Sequence, residues 1–168
     1  EAAVRFAREN KLPGRIFNSY DLGSYIMYHW PEEKVFIDTR LHFRGTEDFQ
    51  NYIDLMREPE KHWDDLAEQY QIQTVILKHL SRDTDFLVGY LFKHRNWAVV
   101  YCDERGIIFL KRAAENLELI NKFAPLLDLE GLFDRAERVY RPHWSRRMLG
   151  TGEVGSKKYE IGSEKYEL

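Results

Sequence analysis

Polar side chains stand at the carboxyl ends of two short apolar segments, and they are the first candidates for chemistry in this chain. The two segments, Arg15–Asn18 and Lys34–Asp38, are predicted strands. Ligands of open α/β sheets bind outside the carboxyl ends of strands, where the connections diverge. If the two strands are neighbours, one edge collects the residues that we call the rim: Asn18, Tyr20, Asp21, Asp38, Arg40 and His42.

The rim residues have binding roles and structural roles open to them. Asp38 and Arg40 can form an ion pair that fixes the loop, or Arg40 can present its planar guanidinium group to a phosphate. Asp21 can cap the following helix, because its carboxylate can accept free amide hydrogens of the first turn. Gly23, in that first turn, can allow close approach of another stretch of backbone.

Other patterns for catalysis, cofactors or metals are absent from the sequence. No two of the six histidines are four residues apart, so no helical histidine metal site is expected. The single cysteine, Cys102, excludes an intrachain disulfide and a cysteine metal cluster. No glycine-rich dinucleotide or phosphate-binding loop is present, and Ser19 and Ser24 lack a nucleophile-elbow motif. We therefore expect no bound cofactor and no metal.

The composition is that of an ordinary folded domain. Of the 168 residues, 43% are hydrophobic, and 25 basic side chains face 28 acidic ones for a net charge of -3. That balance argues against a nucleic-acid partner and against disorder. No apolar run reaches the ~18 residues of a transmembrane helix. The chain begins with Glu1 in what reads as the middle of a helix, so we expect it to be part of a longer protein.

The order of predicted elements indicates the fold class. A third strand, Thr74–Leu77, follows the two named above, and a hairpin of Trp97–Tyr101 and Ile107–Leu110 comes last. Between the strands, apolar residues at helical spacing predict helices at Asp21–Trp30, Thr46–Met56, Trp63–Tyr70 and Asp85–His94. This alternation predicts an α/β fold with a mostly parallel, Rossmann-like three-layer sheet and a C-terminal antiparallel hairpin. We place this soluble domain at residues 1–112.

Residues 113–168 are predicted to form a helical extension, with amphipathic segments at Asn116–Ala124 and Leu129–Tyr140. Leu149-Gly150, Tyr159, Gly162 and Tyr166 fall at the spacing of a tetratricopeptide repeat unit, so the extension can be the start of such a repeat. A charged helical tail explains the same residues equally well.

Two motifs together resemble a known family. They are Arg15-Ile16-Phe17-Asn18-Ser19-Tyr20-Asp21-Leu22-Gly23-Ser24-Tyr25 and Val35-Phe36-Ile37-Asp38-Thr39-Arg40. With Trp63 and Thr74–Leu77 they resemble the C-terminal soluble domain of bacterial polytopic membrane glycosyltransferases of the GT-C type, over residues 1–112. The first motif is also similar to the Trp-Trp-Asp-Tyr-Gly motif of oligosaccharyltransferase catalytic subunits. Tyr20, Asp21 and Gly23 match its second tryptophan, its aspartate and its glycine.

The resemblance implies an extracytoplasmic, periplasmic accessory domain that packs over the membrane-embedded domain of the same polypeptide. In such proteins the catalytic carboxylates lie in the membrane part, so this domain would be inactive in isolation and close to a lipid-linked sugar or an acceptor. Ser19 and Leu22 depart from the oligosaccharyltransferase motif, which weighs against recognition of an acceptor peptide. The alternatives are a protein-interaction module that uses the helical tail, and an independent small-molecule enzyme of flavodoxin-like shape that uses the rim.

Overall fold

The computed structural model describes residues 2–40, 46–79, 81 and 83–127, without the side chains of 46–48. The repeat-like pattern of the tail and the predicted helix Leu129–Tyr140 lie outside these described residues. The compact unit that contains the sheet runs from Glu1 to Leu129, and a second unit spans Glu130–Leu168.

The protein has an α/β fold with a four-stranded mixed sheet. The strands are β1 (Ile16–Asn18), β2 (Thr74–Lys78), β3 (Trp97–Cys102) and β4 (Gly106–Lys111), in the spatial order β1-β2-β4-β3. β1 and β2 pair in parallel, and β4 pairs antiparallel with both β2 and β3. The expectation of a mostly parallel sheet was therefore wrong, because β4 returns from β3 and inserts beside β2.

The predicted strand Lys34–Asp38 is not a strand in the structure. The segment lies beside the short edge strand β1, where a side chain holds it. The side-chain amide of Asn18 forms hydrogen bonds with the backbone of Phe36 and Ile37. Its apolar, β-branched residues favour a strand. A strand in a sheet also needs hydrogen bonds between its own backbone and the backbone of a neighbouring strand.

Helices form at most of the segments that were predicted to be helical. They are α1 (Ala2–Glu9), α2 (Gly23–His29), α3 (Thr46–Arg57), α4 (Pro59–Gln69), α5 (Asp85–Lys93) and α6 (Leu117–Phe123). Short 3-10 turns occur at Tyr20–Leu22, Ala114–Asn116 and Ala124–Leu126. Among the described residues, no helix is both long and apolar enough to cross a bilayer.

Both faces of the sheet are buried, which explains why its strands read as continuous apolar runs. The first core cluster joins Phe17, Val75 and Phe109 to residues of α3, α4 and α5, including Leu55, Trp63 and Leu91. The second core cluster joins Ile16, Ile76 and Ile108 to residues of α1, α2 and α6, including Ala7, Ile26 and Ile120. Successive core residues of a strand enter different clusters, as its pleat requires. The exception is β3, where the register shifts and Val100 and Tyr101 both contact the second cluster.

Candidate functional site

Asn18, at the carboxyl end of β1, is fully buried and holds the neighbouring segment in place. Its Nδ2 donates to the carbonyls of Ile37 (2.8 Å) and Ser19 (3.0 Å), and its Oδ1 accepts from the Phe36 amide (2.9 Å). A buried side-chain amide with both ends satisfied is a structural element, since each unpaired group would cost free energy. Asn18 therefore positions the rim from inside and is closed to ligands.

Gly23 supports the same segment from the side of α2. A Cβ atom built on Gly23 would lie 2.0 Å from the Ile37 carbonyl oxygen and 2.7 Å from the Asp38 Cα. The helix therefore meets this backbone at a distance that only glycine permits. The segment Phe36–Asp38 is held between the end of β1 and the first turn of α2.

Asp38 and Arg40 form the ion pair that was one of their two predicted roles. Arg40 donates from Nε to Asp38 Oδ1 (2.8 Å) and from Nη2 to Asp38 Oδ2 (2.9 Å). The hydrogen bond and the charge of Asp38 raise the pKa of Arg40, which stays protonated. The side chain of Arg40 is 60% exposed, so the arginine of this ion pair faces solvent.

Tyr20 joins β1 to the loop after Asp38. Its hydroxyl donates to the Thr39 carbonyl at 3.2 Å, and its backbone amide donates to the Tyr52 hydroxyl at 3.0 Å. Burial raises the pKa of Tyr52, the hydrogen bond from Tyr20 opposes this, and the charge of Asp21 adds to it, so the hydroxyl stays protonated. The structure thus places Asn18, Tyr20, Asp38 and Arg40 near one another.

Asp21 does not have the predicted capping role. It lies inside the 3-10 turn, and α2 begins after Leu22 without a side-chain cap. Its Oδ2 instead lies 3.1 Å from Nζ of Lys78, with both side chains about half exposed. Asp21 therefore pairs with the end of β2. His42, the sixth rim residue, lies outside the described residues.

Lys78 and Ser19 complete this edge. Lys78 was missed from the sequence, whereas Ser19 was considered there only as a nucleophile and as part of the motif. Ser19 Oγ accepts the backbone amide of Lys78 at 3.2 Å, and the Ser19 amide donates to the Ile76 carbonyl. Lys78 follows the buried run Thr74–Leu77 directly, so the same reasoning about strand ends that selected Asn18 could have found it. Nothing in the local pattern around Tyr52 pointed to its role.

The Asp21–Lys78 ion pair lies at the carboxyl ends of the parallel strands β1 and β2. From these two ends the chain continues to opposite faces of the sheet. After β1 the chain enters α2, whose Ile26 joins the second core cluster. After β2 it enters α5, whose Leu87 joins the first core cluster. Such a divergence forms the crevice in which open α/β sheets bind ligands.

The chemistry available at this edge is that of binding. It offers two exposed ion pairs and the polar end of Tyr20, which can hydrogen-bond to hydroxyl, carboxylate or amide groups. Within the part of the chain that the structure describes, no three His, Cys, Asp or Glu side chains are arranged to hold a metal ion. A cavity of about 390 Å³ lies beside the Asp38–Arg40 pair, between Met27 and the chain from Pro31 to Arg40.

Comparison with known protein families, with characterised proteins and with solved structures finds no match for this chain.

Proposed function

We propose that the chain is an extracytoplasmic, periplasmic accessory domain of a membrane-embedded glycosyltransferase-like protein and has no catalytic activity by itself. Its rim docks on the membrane-embedded domain of the same polypeptide, close to the lipid-linked sugar or the acceptor. Within this proposal the domain is a Rossmann-like three-layer domain with a C-terminal hairpin. Burial of both sheet faces and the antiparallel pairing of β3 with β4 support that part.

One observation carries the docking role: the rim is rigid on its inner side and charged on its outer side. Asn18 and Gly23 fix the backbone of Ile37 from within. Outside, Arg40 and Asp21 expose about half or more of their side chains while paired with Asp38 and Lys78. Exposed ion pairs contribute little to stability, so their arrangement on a rigid edge suits complementary charges on a partner surface.

The test requires the parent protein that contains this domain. Arg40→Ala and Asp21→Ala remove one partner of each exposed pair and should leave the domain folded, which circular dichroism of the isolated domain checks. In the parent protein both substitutions should lower glycosyl transfer or the yield of a cross-link between the rim and the membrane part. Arg57→Ala, an exposed cation in the last turn of α3, is the control.

Unchanged transfer and unchanged cross-linking in both rim variants, at normal protein levels, would reject the docking role. Glycosyl transfer by the isolated domain would reject the proposal that it is inactive alone. A small ligand that binds at Asp21 and Arg40 and is turned over there would favour the independent enzyme instead.

A further inference from the structure

A second concave surface lies between α1 and α2, away from the Asp38–Arg40 pair. It forms an open cavity of about 490 Å³, with Val4 among its lining residues. This volume falls within the range of small-molecule sites, about 300–1,000 Å³. Nothing in the rim or its proposed docking uses this cavity.

The walls of the cavity carry two complementary pairs of side chains. Arg5 and Arg8 are three residues apart on α1, so they lie on one face of that helix. Tyr25 and His29 are four residues apart on α2, and their ring centroids are 4.1 Å apart. One wall is therefore cationic and the other presents a pair of adjacent rings.

The two walls are held at a fixed separation. Arg8 Nη1 donates to the His29 carbonyl at 2.9 Å, which also satisfies an otherwise open carbonyl at the end of α2. Behind the cavity, Val4, Ala7 and Ile26 are buried in the second core cluster. The backbone of both walls is therefore in place before a ligand binds, which lowers the cost of ordering the site.

The positive charge of this cavity is not neutralised by ion pairs within the described residues. Neither Arg5 nor Arg8 has a carboxylate oxygen within 4.0 Å there, whereas Arg40, Lys61 and Lys78 each have one. Glu9 also lines the cavity, so the lining carries two guanidinium groups against one carboxylate. An arginine has five N–H donors, and the bond to His29 uses one donor of Arg8.

We propose that this cavity binds a phosphorylated compound that carries a ring, of which a hexose phosphate is the simplest example. The guanidinium groups of Arg5 and Arg8 bind the phosphate, because their planar donors match its oxygens. The ring packs on Tyr25 and His29, whose flat faces suit an apolar sugar face. This inference does not depend on the proposed function, since none of these residues belongs to the rim.

The experiment titrates the 168-residue chain with glucose 6-phosphate, inorganic phosphate and glucose, and follows amide and ring resonances by NMR. We expect glucose 6-phosphate to shift the signals of residues 4–9 and 25–29 and to bind more tightly than phosphate alone. Arg5→Gln should raise the Kd by ~10-fold, because a charge-assisted bond is lost. Glu9→Gln should lower the Kd, because it removes the opposing charge.

Arg57→Gln is the matched control, since it removes an exposed arginine on α3 and should leave the Kd unchanged. Equal weakening by Arg5→Gln and Arg57→Gln would mean general charge attraction and would overturn the proposal. An unchanged Kd in Arg5→Gln, or the absence of binding to every phosphate probe, would overturn it as well.

A second binding experiment, with lipid vesicles, identifies the source of the phosphate group. Vesicles of phosphatidylinositol, whose headgroup joins a phosphate to a ring, mixed with phosphatidylcholine are compared with vesicles of phosphatidylcholine alone. Binding to the first only, lost in Arg5→Gln and kept in Arg57→Gln, assigns a lipid headgroup. Binding of glucose 6-phosphate without vesicle binding assigns a soluble ligand.

Discussion

Gly23 and Asn18 hold the same stretch of backbone from two sides. The amide of Asn18 replaces the ladder that a neighbouring strand would have supplied, and the missing side chain of Gly23 lets α2 approach Ile37 and Asp38. The φ angle of Gly23 is -56°, an ordinary helical value. Glycine is required here because of space and not because of backbone conformation.

Gly23→Ala should therefore destabilise the fold. The added methyl group would lie 2.0 Å from the Ile37 oxygen, so the helix or the segment must move. Overpacking of this kind costs about 1–3 kcal/mol, which outweighs the better helix propensity of alanine, ~1 kcal/mol. The free energy of unfolding measured in urea checks this expectation.

Ser24→Ala is the control at the next position, where an exposed side chain shares one hydrogen bond with Thr39. Its effect should stay within about 0.5 kcal/mol, as for most surface changes. Equal stability of Gly23→Ala and the unsubstituted chain would contradict the close contact at Ile37.

At the scale of single elements, the turn between β3 and β4 is organised by one carboxylate. Asp103 Oδ1 accepts the backbone amides of Arg105 and Gly106, both at 2.7 Å, and Oδ2 accepts the Tyr101 hydroxyl at 2.5 Å. Burial alone would raise the pKa of Asp103, but these hydrogen bonds to the charged form lower it below its ordinary value. The turn that brings β4 back beside β2 is thus stabilised by the ionised side chain.

Asp103→Asn should cost about 1 kcal/mol at pH 7, because the amide cannot accept at both positions. A depressed pKa in the folded state gives stability that is full above the unfolded value, 3.8, and is lost as the pH falls through the folded value. The difference in unfolding free energy between the two chains should therefore shrink below about pH 4. Urea unfolding at several pH values measures it.

Glu104→Gln serves as the control for Asp103→Asn, since Glu104 is the exposed neighbour in the same turn. It should show no comparable dependence on pH. A constant difference between Asp103→Asn and the unsubstituted chain from pH 7 to pH 3 would show that ionised Asp103 does not support the turn.

At the scale of the whole molecule, α6 belongs to the packed unit around the sheet. Ile120 and Phe123 are buried in the second core cluster, and the Phe123 ring lies 4.9 Å from that of Phe6 on α1. The unit bounded by Glu1 and Leu129 therefore depends on residues that follow the last strand.

Phe123→Ala should destabilise this unit by about 3–5 kcal/mol, the usual cost of removing a buried ring. Leu126→Ala is the matched control, because Leu126 is 77% exposed and its loss should change stability by about 0.5 kcal/mol or less. Thermal unfolding followed by circular dichroism compares the two. Equal melting temperatures would place α6 outside the cooperative unit.

Several parts of this protein could be predicted from local pattern. Apolar runs marked β2, β3 and β4, helical spacing marked most helices, and the end of β1 marked Asn18 and Tyr20. These features depend on residues close together in the chain, so a short window of sequence contains the information. Asp38 and Arg40 were selected as the end of a strand that the structure does not contain. The glycosyltransferase-like function and the tetratricopeptide-like tail stay predictions.

The sequence by itself determined the α/β class of the fold and the approximate positions of its four strands. Only the tertiary structure decided that β4 inserts beside β2, that Asp21 pairs with Lys78, and that Lys34–Asp38 is tied to Asn18 instead of forming a strand. The physical reason is that the backbone N–H and C=O groups of an apolar, extended segment can form hydrogen bonds with any suitable partner. Which partner it meets depends on residues distant in the chain and on the space that one glycine leaves open.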